Sequence, residues 1–238
     1  MSQKIDVRKL REEYGMSQGE LAKRLDISRP TLAKVENNER KLTKVEEWKI
    51  QEIFGIVRDH VSPKGDMRVS IPQKKLEKFK QVFLYVLEKT AGKPNVGMTV
   101  LYKLLYFIDF DYYEKYEDQL MGLTYIKNHH GPTPREFVSV VEEMKKSGEL
   151  EEVKSAYFTY EQRKFLPHRH ADLSSLSAQE MTMIDSVLAR YGEKSAAELS
   201  VLSHEDTPWF AAEDGKNIEY DHVFYRPEKL SVRQYNEL

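Results

Sequence analysis

The chain has no cysteine, which excludes disulfides and thiolate metal centres and fits a reducing compartment. Glycine is scarce, at 11 of 238 residues, and nowhere forms the clustered loop that cradles phosphates. A nucleophile elbow and a zinc-protease signature are also missing. No apolar run approaches the length of a membrane span, and the opening MSQKIDVRKL lacks the apolar stretch of a secretion signal. A soluble, intracellular protein is the expectation. Charge of one sign is lacking overall, at net −2, but the balance is uneven. Residues 1–70 carry 15 Lys+Arg against 12 Asp+Glu, whereas 71–238 carry 22 against 27. The positive excess sits where a phosphate backbone would need it, and it is small enough that a dimer is expected on DNA. Hydrophobic content of 40% and aromatic content of 11% supply enough apolar mass for two domains.

What is present begins with MSQGELAKRLDISRPTLAKVENN, from Met16 to Asn38. Ser17 is placed to cap a helix, with Glu20 completing a capping box, and Leu21, Ala22 and Leu25 form one apolar face. Asp26-Ile27-Ser28 breaks the pattern, Ser28 caps a second helix, and Pro30 lies in its first turn, where a missing N–H costs little. Leu32 and Val35 bury that helix, so Arg29, Thr31 and Lys34 point outward, as a major-groove reader requires. Helices are expected at about Ile5–Tyr14, Ser17–Leu25, Ser28–Glu36 and Thr43–Phe54, the last with Trp48 as a core aromatic. These residues resemble the Cro/lambda-repressor (Xre-type) helix-turn-helix family from about Ile5 to Ile56. Asp26 departs from the glycine common in that turn, and Pro30 is unusual at a base-reading position. The resemblance implies DNA binding; Arg29, Thr31 and Lys34 are expected to face bases, Gln18, Asn37, Arg40 and Lys41 to hold phosphates, and Ser28 to be a further DNA-binding residue.

Turn formers in Ser62–Asp66 mark a connector, and a long amphipathic helix is expected from Pro72. Gly97–Glu114 is apolar nearly all round and is read as a buried central helix, with Asp109 as a buried acceptor tying it to the His-Gly-Pro turn. Thr124–Ile126 favours an extended piece, Pro134 is expected to start a helix ending at Gly148, and Leu150–Leu166 reads as one or two strands. Ser177 with Glu180 caps a further helix, Ser195–Ser203 forms a short one, and the role of the tail from Gly215 is not readable.

Four blocks in order carry a second resemblance: Leu104–Asp109, Gly122–Tyr125, His130–Pro134, and Leu199-Ser200 with His204–Trp209. They resemble the Panacea (SocA-like) antitoxin domain across residues 76–212. That resemblance implies a domain that neutralises a co-encoded protein toxin, often with an attached DNA-binding domain that represses the shared operon.

Catalysis finds little support. His129-His130 on an extended segment point to opposite faces; His168 and His170 are a candidate metal pair without matching carboxylates; His204-Glu205-Asp206 reads as part of a structural turn. No catalytic residue, metal or cofactor is expected, and the protein is not expected to be an enzyme. The tyrosines are numerous, at 14, and suit an interface. Tyr106, Tyr112, Tyr113, Tyr116, Tyr125, His129 and His130 are the candidate toxin-facing residues.

The expected fold is mainly α: a helix-turn-helix domain (1–58), a linker (59–75), a mostly helical α+β domain with a small β-hairpin or sheet (76–212), and a C-terminal tail (213–238). The expected role is a type II antitoxin that represses its own operon, acting with a toxin, operator DNA and a second copy of itself. It would be cytoplasmic and bacterial or prophage-encoded. The alternative is a ligand- or partner-responsive repressor without a toxin.

Overall fold

A computed structural model describes residues 6–54, 73–90, 92–157 and 160–233. The chain divides into two compact units, Met1–Val69 with Asn128–His130, and Ser70–Lys127 with Gly131–Leu238. Most of the expected linker lies outside the described residues, as does the side chain of Trp48.

Among the described residues the first unit contains four helices, α1 (Val7–Glu13), α2 (Gln18–Leu25), α3 (Arg29–Glu36) and α4 (Lys44–Phe54). Their starts follow local chemistry. Asp6, Ser17 and Ser28 each accept a hydrogen bond from the backbone N–H three residues on. Thr43 and Glu46 cap α4 reciprocally, at 3.2 and 2.8 Å. Leu21, Ala22, Leu25, Leu32 and Val35 are buried as their spacing requires. Tyr14 closes the bundle: its ring meets Phe54 edge-on at 4.9 Å and its hydroxyl donates to the Phe54 carbonyl at 2.6 Å.

The turn between α2 and α3 places Asp26 in the left-handed region at φ 60°, where its N–H reaches the Ala22 and Lys23 carbonyls. Asp26→Gly is therefore expected to stabilise the first unit by up to about 1 kcal/mol, read as a raised midpoint in thermal unfolding. A lowered midpoint would show that the aspartate side chain contributes more than the backbone strain costs.

The second unit is built around α6 (Met98–Tyr116), whose residues from Val100 to Tyr112 are all buried. A helix apolar on every side has to lie at the centre. Around it stand α5 (Gln73–Thr90), α7 (Phe137–Lys146), α8 (Ala178–Tyr191), α9 (Ala196–Glu205) and α10 (Thr207–Ala211). Phe83, Phe137 and Tyr102 pack edge-to-face at 5.1 and 4.7 Å and anchor α5 and α7 to α6. Strands β3 (Leu150–Tyr157) and β4 (Tyr160–Pro167) form an antiparallel hairpin, and β1 (Tyr125–Asn128) and β2 (Gly131–Pro134) form a second two-stranded sheet. Pro134 therefore ends a strand instead of starting a helix, and α7 begins at Phe137. The mainly α class with small sheets matches the pattern in the sequence.

Residues 213–233 are not an appendage. Ile126 and Asn217 form an antiparallel bridge, with Lys127 N–H donating to the Lys216 carbonyl at 3.0 Å. Tyr220 then stacks on Phe110 at 4.3 Å and 12°, a short 3-10 helix covers Tyr220–Tyr225, and Arg226 is buried.

Candidate DNA-reading helix and partner-binding domain

Glu36 fixes the orientation of α3. Its buried carboxylate accepts from Arg11 Nε at 2.6 Å and Gln18 Nε2 at 2.8 Å, with Arg8 at 3.7 Å, so it joins α1, α2 and α3. Burial pushes its pKa up, but the Arg11 and Gln18 hydrogen bonds and nearby guanidinium charge outweigh that and hold it below the usual value. With α3 locked, Ser28, Arg29 and Lys34 stand exposed along its outer edge. Thr31 is half-buried, and its hydroxyl shares a hydrogen bond with Ser28 Oγ at 2.8 Å. An exposed guanidinium at the first turn of a braced helix is the geometry that reads guanine bidentately.

Three of the expected phosphate contacts hold partners within the bundle. Gln18 is committed to Glu36, Asn37 Oδ1 accepts from Arg8 at 2.6 Å, and Arg40 forms a two-point pair with Glu46 at 2.9 Å each. Each of these side chains already holds a protein partner and braces the bundle. Lys41 remains exposed.

The second unit buries several charged groups. Asp109 is fully buried and accepts five hydrogen bonds: Met121, Gly122 and Leu123 N–H at 2.7, 3.1 and 3.2 Å, and the Tyr125 and Tyr220 hydroxyls at 3.1 and 2.9 Å. Burial raises its pKa while the donors pull it back. It is the buried acceptor expected, but it ties α6 to the 121–123 backbone and two tyrosines, not to the His-Gly-Pro turn. Lys103 faces that turn, donating to the Pro132 carbonyl at 3.5 Å.

A second cluster centres on Arg226. Its guanidinium holds Asp206 in two-point fashion at 2.8 and 2.6 Å, Asp111 at 2.7 Å and Glu114 at 2.9 Å. Tyr106 donates to Asp206 at 2.8 Å, Arg190 to Asp111 at 2.5 Å, and Ser231 to Glu114 at 2.5 Å. Burial pushes Asp111 up even against these cations. The cluster staples the C-terminal segment onto α6 and the α9–α10 junction. Sequence reasoning missed Arg226; the signal was three carboxylates, Asp109, Asp111 and Glu114, on a largely apolar helix, which demand buried partners.

Most of the candidate toxin-facing tyrosines prove to be core residues. Tyr106 and Tyr125 have no exposure, and Tyr112 is 7% exposed. Burial and Asp206 raise the Tyr106 phenol, and burial and Asp109 raise that of Tyr125, far above the usual value. Tyr113 is half-buried and donates to Asp221 at 2.5 Å, which with burial pushes it up to about 12. Tyr116 is half-buried against Tyr112, whereas His129 and His130 are exposed.

The histidine candidates for chemistry are dispersed. His168 faces Glu151 at 3.6 Å and His170 faces Glu88 at 3.4 Å. His204 stacks on Trp209 at 4.0 Å, Glu205 pairs with Lys229 at the surface, and Asp206 is buried on Arg226. Among the described residues no three His, Cys, Asp or Glu side chains are grouped to hold a metal ion, and no helix is long and apolar enough to cross a membrane.

No curated protein and no solved structure matches the chain. Two family models do. The chain is similar to the helix-turn-helix family over residues 7–58 and to the antitoxin SocA-like, Panacea domain over residues 101–210, in that order.

Proposed function

We propose that this protein is the antitoxin of a type II toxin–antitoxin pair and the repressor of its own operon. One observation carries the reading: a single chain joins a braced helix exposing Arg29 and Lys34 to a domain similar to SocA-like antitoxins. The second domain binds a protein toxin encoded beside it and blocks it by direct contact. The first binds operator DNA as a homodimer, with the two α3 helices in successive major grooves. The protein acts by binding, not by catalysis, and works in the bacterial cytoplasm.

The test is growth. The neighbouring gene is expressed alone, with the full chain, and with the Arg29→Ala chain. Toxicity alone and rescue by both chains support the reading. No toxicity, or no rescue by the full chain, overturns it in favour of a repressor without a toxin. On the DNA upstream of its own gene, Arg29→Ala is expected to lose roughly 1–3 kcal/mol of binding and to relax specificity at one base pair. Unchanged affinity in a titration would remove Arg29 from the groove.

A further inference from the structure

The second unit exposes two large aromatic side chains, Phe210 at 74% and Tyr225 at 76%. The segments that carry them are tied together. Thr207 Oγ1 donates to the Tyr225 carbonyl at 2.9 Å, and Phe210 lies three residues beyond Thr207 on α10, on the same helix face. The backbone at both positions is held in place. Lys127 Nζ binds the Phe210 and Ala212 carbonyls at 3.3 and 2.8 Å and covers the Trp209 ring at 4.3 Å. Tyr225 is followed directly by the buried Arg226. Backbone already ordered beneath both rings lowers the cost of binding, and aromatic side chains are enriched at the centres of protein interfaces.

The surrounding charge selects the partner. Between residues 205 and 228 the exposed acids are Glu205, Glu213, Asp214, Glu219, Asp221 and Glu228, against one exposed lysine, Lys216. Lys229, just beyond, is engaged by Glu205 at 2.6 Å. Such a rim repels nucleic acid. A second copy of the chain is also disfavoured, because a two-fold interface would set this acidic rim against itself.

We propose that Phe210 and Tyr225 are the central anchors of the surface that grips the toxin, and that the toxin presents a basic face with an apolar recess. The inference rests on the antitoxin reading above. It replaces the buried tyrosines of α6 with the C-terminal segment as the binding element.

The experiment pairs the full chain, wild type or carrying Phe210→Asp and Tyr225→Asp, with the neighbouring gene product, in growth rescue and in titration of the purified proteins. Leu173→Asp, at another exposed apolar position, is the control. The expected result is a dissociation constant raised at least about 30-fold and loss of rescue in the double variant alone, with operator binding and unfolding midpoint unchanged. Association with the wild type should slow as salt rises. If wild type itself fails to rescue, the antitoxin reading falls and this inference with it. If wild type rescues and the double variant binds within threefold of it, the antitoxin reading stands and this surface is wrong. If the double variant keeps toxin binding but halves its mass in light scattering, a second copy is the occupant and the proposal is overturned.

Discussion

Arg226→Met is expected to cost the second unit about 3–5 kcal/mol, enough to leave much of it unfolded at 37 °C. The guanidinium is 1% exposed and faces Asp111, Glu114 and Asp206, whose side chains are 1%, 0% and 0% exposed. Removing the cation leaves Asp111 with Arg190, but Glu114 with Ser231 and the Val232 N–H, and Asp206 with Tyr106, none of these last three a cation. Buried carboxylates stripped of their cation are unfavourable in the charged form, so the fold then binds protons more tightly than the unfolded chain. Groups with a raised folded pKa stabilise at low pH and lose that effect as pH rises. The variant's stability should therefore fall as pH rises out of the acid range, and part of the defect should disappear at the acid end. Urea denaturation across that range reads both effects. Adding Glu114→Gln and Asp206→Asn to Arg226→Met should recover a large part of the loss at pH 7, because both are nearly isosteric and neutral. A single variant within 1 kcal/mol of wild type would show that the cluster is solvated and that the C-terminal segment is held by its aromatics alone.

Arg226 also marks where the sequence stopped being readable. Features set by neighbouring residues were legible: the Ser17 and Ser28 caps, the Ser177–Glu180 capping box, the all-round apolar α6 and the β3–β4 hairpin. Each depends on contacts within about one turn or on a repeating period. The partners of Arg226 lie 20, 112 and 115 residues away, a separation no local pattern encodes. Asp109 illustrates the halfway case. Its place on an apolar helix foretold a buried acceptor, but which donors would reach it was a matter of topology. Tyrosine misled for a related reason. Its ring and hydroxyl suit an interface or a hydrogen-bonded core equally well, and Tyr106 and Tyr125 take the second course beside Asp206 and Asp109. In the first unit the apolar spacing located α3, yet the bracing pairs of Gln18, Asn37 and Arg40 depend on how α1–α4 pack.

Lys103→Met is expected to work in the opposite direction, stabilising the second unit at pH 7 by about 1–4 kcal/mol. The lysine is 1% exposed on α6, with the Pro132 carbonyl at 3.5 Å as its hydrogen-bond partner, and burial alone pushes its pKa down to about 7. Its surroundings are crowded. A Cβ on Gly131, at φ +104°, would meet Lys103 Cε at 2.7 Å and Ser203 Oγ at 2.6 Å, so the lysine stem lies packed against the glycine backbone. A lysine at about 7 in the fold and 10.5 in the unfolded chain sets a ceiling of about 5 kcal/mol on its cost. Between those two values the unfolded chain holds the extra proton, so wild-type stability rises with pH across that window; below it the cost is fully present. The buried tyrosines Tyr106, Tyr125 and Tyr220 act against this rise at its alkaline end, since their phenols are raised in the fold. They are common to both proteins and cancel in the difference. The stability gap between Lys103→Met and wild type should therefore be widest at pH 6 and narrow steadily toward pH 10. A gap that stays constant with pH would mean that Lys103 remains charged in the fold and that the methionine acts through packing alone.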